Sequence, residues 1–329
     1  MKILIIGCGS IGERHLNNLI SMGHEAVACD LHESTMKKIE QKYRSRSYTD
    51  YKEAIKKEKI EAVLICTPHS THITIAEFAA KNNCHIFIEK PISDNLEGID
   101  TLEELINTGD LVLLVGCNMR FHKPIRIIKE QIDNGKLGRL LSVRAYYGHY
   151  LPNWRPMKDY RETYSSESGQ GGILLDGIHE IDYITWLAGG ISDLFCLSKK
   201  ISELEINSED IAEIILEFEN GALGQIHLDY LRHQKFRSLE IIGEKATVLW
   251  YSEGKNPEMA KLAKYSNSGT ETLFEGELDF NEMFIKEMAH FIDCIENKAV
   301  PENSIKDAKS TLELTLKAKK QIIKGFNKK

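Results

Sequence analysis

The chain opens on KILIIGCGSIG, residues 2–12, a short isoleucine-rich run that breaks into glycines at positions 7, 9 and 12. Little else in the sequence restricts the fold so tightly. The run fits a strand buried on both faces, and residues 11–22 fit the helix that follows. Between them, the GxGxxG spacing gives each glycine a separate task. Gly7 permits the tight turn, Gly9 lets a ligand's phosphates reach the backbone, and Gly12 permits close packing of helix on strand. The helix N-terminus, at Ser10 and Ile11, offers N–H groups and the positive end of its dipole. The spacing alone is a weak signal, but after a strand and before a helix it marks a dinucleotide site.

The pattern then repeats. EAVACD (25–30), EAVLICTP (61–68), CHIFIEKP (84–91) and LVLLVGCN (111–118) read as strands, with helical stretches near 33–42, 71–82 and 95–108. Strands alternating with helices predict βαβ units. Right-handed crossovers turn these into a doubly wound parallel sheet of the Rossmann type, with ligands at the carboxyl ends of the strands. Asp30 closes the second strand. A carboxylate there accepts hydrogen bonds from adenosine ribose hydroxyls and repels a 2′-phosphate, so NAD is expected rather than NADP.

Two further strand ends carry polar residues. Thr67-Pro68-His69-Ser70-Thr71-His72 follows one strand; its proline locks the turn, and Ser70 or Thr71 can cap the next helix. Glu89-Lys90-Pro91 follows another. A lysine at the carboxyl edge of a parallel sheet either faces the ligand crevice, where it can hold a hydroxyl or carry a proton, or is a surface residue beside a turn. Thr67, Pro68, His72, Glu89 and Lys90 therefore join Gly7, Gly9, Ser10, Ile11, Gly12 and Asp30 as candidate cofactor-binding residues.

After about residue 120 the alternation stops. A helix is expected near 122–134, then a strand at RLLSVRAYYGHY, then the polar aromatic loop LPNWRPMKDYRETYSSESGQ. Helices follow at 173–188 and 280–297, and a charged helix at 304–325 is expected to pack on the outside. Between them, alternating runs around Asn220-Gly221 and around Gly243-Glu244-Lys245 predict hairpins. The expectation is an α+β domain over 121–329 with a large open, mostly antiparallel sheet, following a Rossmann domain over 1–120. A broad sheet face of this kind buries itself against another subunit, which predicts a homodimer or homotetramer.

Composition removes other classes. Hydrophobic residues make up 42% of the chain, enough for more than one core. A net charge of −7 argues against binding nucleic acid through a basic face. No stretch approaches the roughly 18 uninterrupted apolar residues of a membrane span, and the first apolar run is too short for a signal peptide. The seven cysteines are scattered without CxxC spacing. Neither a disulfide framework nor a metal site is expected, and a cytoplasmic location is.

The segment GGILLDGIHEIDY, 171–183, places Asp176, His179 and Asp182 three apart inside an apolar run. Alone it is either the polar stripe of a helix or acid/base machinery. With GCGSIG, TPHSTH, EKP at 89–91 and GCNMRF at 116–121, its order and spacing resemble the glucose–fructose oxidoreductase, inositol dehydrogenase and MocA family over essentially the whole chain. The resemblance implies an NAD(P)-dependent oxidoreductase acting on a CH–OH group of a sugar, cyclitol or nucleotide sugar. It implies that Lys90 lies near the nicotinamide and the reacting hydroxyl, and that His179 is the acid/base. The family places an aspartate four residues before this histidine. Here that position is Leu175, and Asp176 stands three before. Since i,i+3 neighbours share a helix face, Asp176 is expected to substitute for it, with Asp182 as support.

The loop carrying Tyr147, His149, Trp154, Arg155, Tyr160, Arg161 and Tyr164 either walls the substrate site, together with Arg120, or is a structural loop. If its arginines bind substrate, they imply an anionic or nucleotide-linked sugar. Two other functions fit the same residues: an enzyme that retains and recycles NAD for hydrolysis or transhydrogenation, and a non-catalytic NAD-binding regulator.

Overall fold

The computed structural model describes residues 1–155, 159–166, 171–254 and 258–321. The chain divides into two compact units, Met1–Asn118 with Phe284–Leu312, and Met119–Met283 with the residues from Glu313 onward.

In the first unit, strands and helices alternate as β1 (Lys2–Ile6), α1 (Ser10–Ser21), β2 (Glu25–Cys29), α2 (Glu33–Tyr43), β3 (Ser47–Tyr48), α3 (Tyr51–Glu58), β4 (Ala62–Ile65), α4 (His72–Ala80), β5 (His85–Glu89), α5 (Ile99–Thr108) and β6 (Leu113–Gly116). The six strands form one parallel sheet in the order β3-β2-β1-β4-β5-β6. The apolar runs behave as their sequence demands. Ile3 to Ile6 and Ala62 to Ile65 are all buried, because helices cover both faces. Strand order reverses between β1 and β4, which opens a crevice at their carboxyl ends. The two-residue β3 and the short α3 carry no pattern long enough to read from sequence.

The largest departure from a cut at residue 120 is a return of the chain. The helices α9 (Glu282–Asn297) and α10 (Ile305–Lys320) come last in the chain, yet residues 284–312 belong to the first unit. Met288, Phe291 and Ile292 of α9 complete the core formed by Ile3, Leu64, Phe87 and Leu114. The 280–297 stretch is apolar on this face because it fills the dinucleotide unit.

The second unit contains α6 (Lys123–Asp133), β7 (Leu140–Gly148), α7 (Ile173–Asp176), α8 (Ile178–Ala188) and β8 (Ile191–Lys199). It continues with β9 (Ile211–Phe218), β10 (Leu223–Asp229), β11 (Phe236–Gly243), β12 (Ala246–Glu253), β13 (Glu258–Ser266) and β14 (Gly269–Leu278). Its eight strands run in the order β14-β13-β12-β11-β7-β10-β9-β8. Every pairing is antiparallel except β7 with β10. The β9–β10 hairpin turns at Asn220-Gly221, where Gly221 has φ +81°, a left-handed conformation that favours glycine. Burial alternates along the strands: Ala212, Ile214, Leu216 and Phe218 are buried, whereas Ile215, Phe195 and Leu223 are exposed.

The helix expected at 304–325 begins at Ile305. Leu312, Thr315 and Ala318 on it are fully buried, so it carries a core stripe rather than lying loosely outside; residues 322–325 lie outside the described residues. All seven cysteines are free thiols. No helix among the described residues is long and apolar enough to cross a membrane.

Candidate functional site

The glycine turn has the geometry that a dinucleotide needs. Gly7 follows β1 with φ +90°, and a Cβ there would lie 2.7 Å from the carbonyl oxygen of Cys66. A Cβ on Gly12 would lie 1.8 Å from the Gly7 carbonyl oxygen, so no side chain fits between turn and helix. A Cβ on Gly9 would meet nothing within 4 Å. The space beside Gly9 is open, as an approaching pyrophosphate requires. Ser10, Ile11 and Gly12 form the first turn of α1, whose N–H groups have no partner within the helix. Asp30, just past β2, is held in place from both sides: its Oδ2 accepts the Cys8 N–H (2.9 Å) and its Oδ1 the His32 N–H (3.0 Å). A carboxylate has further lone pairs for a ribose diol. These residues fit NAD.

Thr67 and Pro68 lie past the end of β4, and the half-buried Lys90 lies past the end of β5, joined to Pro91 by a cis peptide bond. The parallel sheet therefore gathers the glycine turn, Asp30, Thr67 and Lys90 along one edge. His72 has another task. It is buried, with Nδ1 3.0 Å from the Pro91 carbonyl and Nε2 2.8 Å from the Thr67 carbonyl. It braces the ends of β4 and β5, with both ring nitrogens facing backbone carbonyls.

Burial lowers the pKa of His72, with the two carbonyl hydrogen bonds opposing the shift. Relative to the unfolded chain the neutral ring is favoured, and its single N–H donates to one of the two carbonyls. His72 thus contributes stability above about pH 6.5, lost as the pH falls through the lowered folded value. His72→Gln is expected to lower Tm at neutral pH, and the gap from wild type to close on mild acidification. A constant gap across thermal melts at each pH overturns this account.

In the second unit, the helix expected over 173–188 is broken. α7 ends at Asp176, Gly177 interrupts, and α8 begins at Ile178. A Cβ on Gly177 would lie 2.8 Å from the Ile173 carbonyl oxygen and 2.9 Å from the Leu228 side chain of β10. Only glycine lets this corner sit against the sheet. The continuous helical face assumed for Asp176 and His179 is therefore absent. Asp176 is buried, and its Oδ2 accepts hydrogen bonds from Ser165 Oγ (2.7 Å) and Tyr230 OH (2.6 Å).

His179 is half-buried in the first turn of α8, and two buried ion pairs hold this helix. Glu180 Oε1 lies 2.7 Å from Arg237 Nε, and the Arg237 guanidinium stacks 4.3 Å over the Tyr147 ring. Asp182 binds Arg120 in bidentate fashion, through Nε (2.9 Å) and Nη2 (2.8 Å). Asp182 is fully buried and Arg120 is 3% exposed. Asp182 and two of the guanidinium nitrogens of Arg120 are thus engaged with each other. Sequence reading missed Arg237, Ser165 and Tyr230, which no local pattern marks.

The loop residues divide in the same way. Tyr147 is buried beneath Arg237. Trp154 donates its indole N–H to the His149 carbonyl (2.9 Å), stacks on the His149 ring and meets the Tyr230 ring edge-on. The Tyr160 hydroxyl accepts the Glu205 N–H (3.2 Å). Arg161 is exposed and binds Asp159 and Glu205. Arg155 is half-buried. Residues 156–158 and 167–170 and the side chain of Tyr164 lie outside the described residues.

Comparison with known proteins assigns both halves. Residues 1–117 match the model described as oxidoreductase family, NAD-binding Rossmann fold, and residues 125–249 match the GFO/IDH/MocA C-terminal domain. The chain belongs to the Gfo/Idh/MocA oxidoreductase family. It is 28% identical to the myo-inositol 2-dehydrogenase of Thermotoga maritima, with 98% of this chain and 96% of that protein covered. It is 24% identical to the scyllo-inositol 2-dehydrogenase (NAD(+)) of Bacillus subtilis, with 99% and 95% covered. The crystal structure of myo-inositol 2-dehydrogenase from Lactobacillus plantarum shares the fold, with a TM-score of 0.82, 23% identity, and 97% and 96% covered. Within the Gfo/Idh/MocA frame, Leu175 is 1% exposed and apolar, so the carboxylate nearest His179 on its N-terminal side is Asp176, turned toward Ser165 and Tyr230.

Proposed function

We propose that this oxidoreductase catalyses the NAD-dependent oxidation of a CH–OH carbon in an uncharged cyclitol or sugar, and the reverse reduction. The observation that carries the reading is the single sheet edge that gathers the glycine turn, the anchored Asp30 and Lys90. When bound, NAD supplies the hydride acceptor. His179 takes the hydroxyl proton and later passes it to solvent. The Lys90 ammonium favours the negative charge that develops on the substrate oxygen. Asp176, held by Ser165 and Tyr230, positions the segment that carries His179. Substrate C–H and O–H bonds break, a carbonyl forms, and one hydride and one proton leave.

An uncharged substrate is favoured because Arg161, one of the two loop arginines that suggested an anionic one, is held by Asp159 and Glu205, and Arg120 is held by Asp182. Likeness over nearly the full length to two inositol dehydrogenases supports the same class. The test is nicotinamide absorbance with a panel of inositols, neutral sugars and nucleotide sugars, each with NAD and with NADP. Turnover of an inositol or neutral sugar, faster with NAD, is expected. Turnover of nucleotide sugars alone overturns the substrate class. If no compound is turned over and mass spectrometry finds NAD retained in the purified protein, the dehydrogenase reading falls to the recycled-cofactor alternative.

A further inference from the structure

We infer that His15 is a positioning residue, which ties the phosphate-binding helix to the strand end that carries Lys90. This rests on the role given to Lys90 above.

His15 lies on α1, three residues after Gly12, and is fully buried. Its ring meets Phe87 and Phe284 edge-on, with centroids 5.3 and 5.8 Å apart. A polar ring in such a place requires a partner, since an unmet buried donor costs the desolvation of that group. Nε2 lies 2.8 Å from Oε1 of Glu89, the last residue of β5. The other carboxylate oxygen of Glu89 accepts the backbone N–H of Lys90 (3.2 Å). One carboxylate thus joins His15 to the backbone of Lys90.

Two details make the link specific. Nδ1 of His15 is buried with no hydrogen-bond partner among the described residues. The ring therefore suits the neutral tautomer that donates from Nε2, whereas a charged ring would bury a second N–H without an acceptor. In addition, Glu89 pairs in register with Gly116 of β6, and a Cβ there would lie 3.5 Å from the Glu89 carboxyl carbon and 2.8 Å from the Phe87 ring. Glycine at 116 leaves room for the Phe87 ring, against which His15 packs; toward the carboxylate a Cβ would make only ordinary contact. The glycine turn at the head of α1 receives the cofactor's pyrophosphate, so a movement of that helix is transmitted through His15 and Glu89 to Lys90. A misplacement of about 1 Å at a reacting group can cost on the order of a hundredfold in rate.

The test uses His15→Phe, which keeps an aromatic ring, with His15→Gln and His15→Asn. The glutamine amide reaches the place of Nε2, and the shorter asparagine amide does not. His15→Phe and His15→Asn are expected to lower kcat by roughly ten- to a hundredfold, with the KM for NAD little changed. His15→Gln is expected to restore most of the rate. Should the phenylalanine variant fail to fold, the glutamine–asparagine pair decides. Equal rates in those two, or a loss seen only in NAD affinity or in Tm, would falsify the inference. Lys90→Ala in the same assay separates the two levels. If it retains full turnover, the role of Lys90 fails, whatever His15 does; if it is inactive while the His15 variants are normal, only the link through His15 fails.

Discussion

Lys90→Ala and His179→Ala are each expected to lower turnover by roughly 10²–10⁴-fold, the range that positioned acid/base groups supply, while NAD still binds. On the proposed roles, the rate falls because each side chain acts where charge develops. Without Lys90 the substrate oxygen loses a cation as it becomes an alkoxide. Without His179 the hydroxyl proton has no imidazole to accept it near neutral pH. Binding survives because Gly7, Gly9, Gly12 and the Asp30 carboxylate, with its Cys8 and His32 anchors, are untouched. Steady-state rates on the substrate found by the panel, beside NAD titrations of each variant, check both halves. Full activity in both variants ends this assignment, and loss of NAD binding in Lys90→Ala moves Lys90 from the chemistry to the nucleotide.

Arg120→Met is expected to destabilise the protein by roughly 3–5 kcal/mol, as removal of one partner of a buried ion pair typically does. Asp182 is fully buried and its two oxygens face Arg120, so the variant strands a carboxylate without its counter-charge. The same reasoning predicts that Arg120→Met/Asp182→Leu regains much of the loss, because two apolar groups leave no charge behind. Denaturant unfolding of the single and double variants decides. A single variant within about 1 kcal/mol of wild type, the scale of an exposed pair, removes the ion pair as the anchor of α8. The effect is larger than any expected from Arg161, which is exposed on the surface where ion pairs contribute little.

The parts of this fold that were legible are those written in adjacent residues. Runs such as ILII and AVLI spell parallel strands because every side chain on them is buried, and the turn between β1 and α1 needs glycine at 7 and 12, while Gly9 leaves the space beside it open. What stayed hidden depends on partners far along the chain. Arg120 meets Asp182 across 62 residues, and His15 meets Glu89 across 74. Both arginine and histidine read as site residues or as nothing at all until their partners are seen. Gly177 illustrates a subtler limit. An apolar run with period three to four predicts one helix, and the Leu228 side chain of β10 that requires the break lies 51 positions downstream, the difference between 228 and 177. The site was legible as a set of residue types, while the direction each one faces was set by packing.

The return of α9 has a consequence for how the protein is made. Ile3, Leu64, Phe87 and Leu114 are all translated early, but Met288, Phe291 and Ile292, which cover them, emerge only after the whole eight-stranded sheet has been synthesised. The dinucleotide unit therefore leaves the ribosome with an apolar face bare for most of translation, a condition that invites aggregation. A fragment ending at residue 120 keeps every glycine of the nucleotide turn and lacks the lid of its own core. Any attempt to graft or express this nucleotide unit alone must carry the distant helix with it.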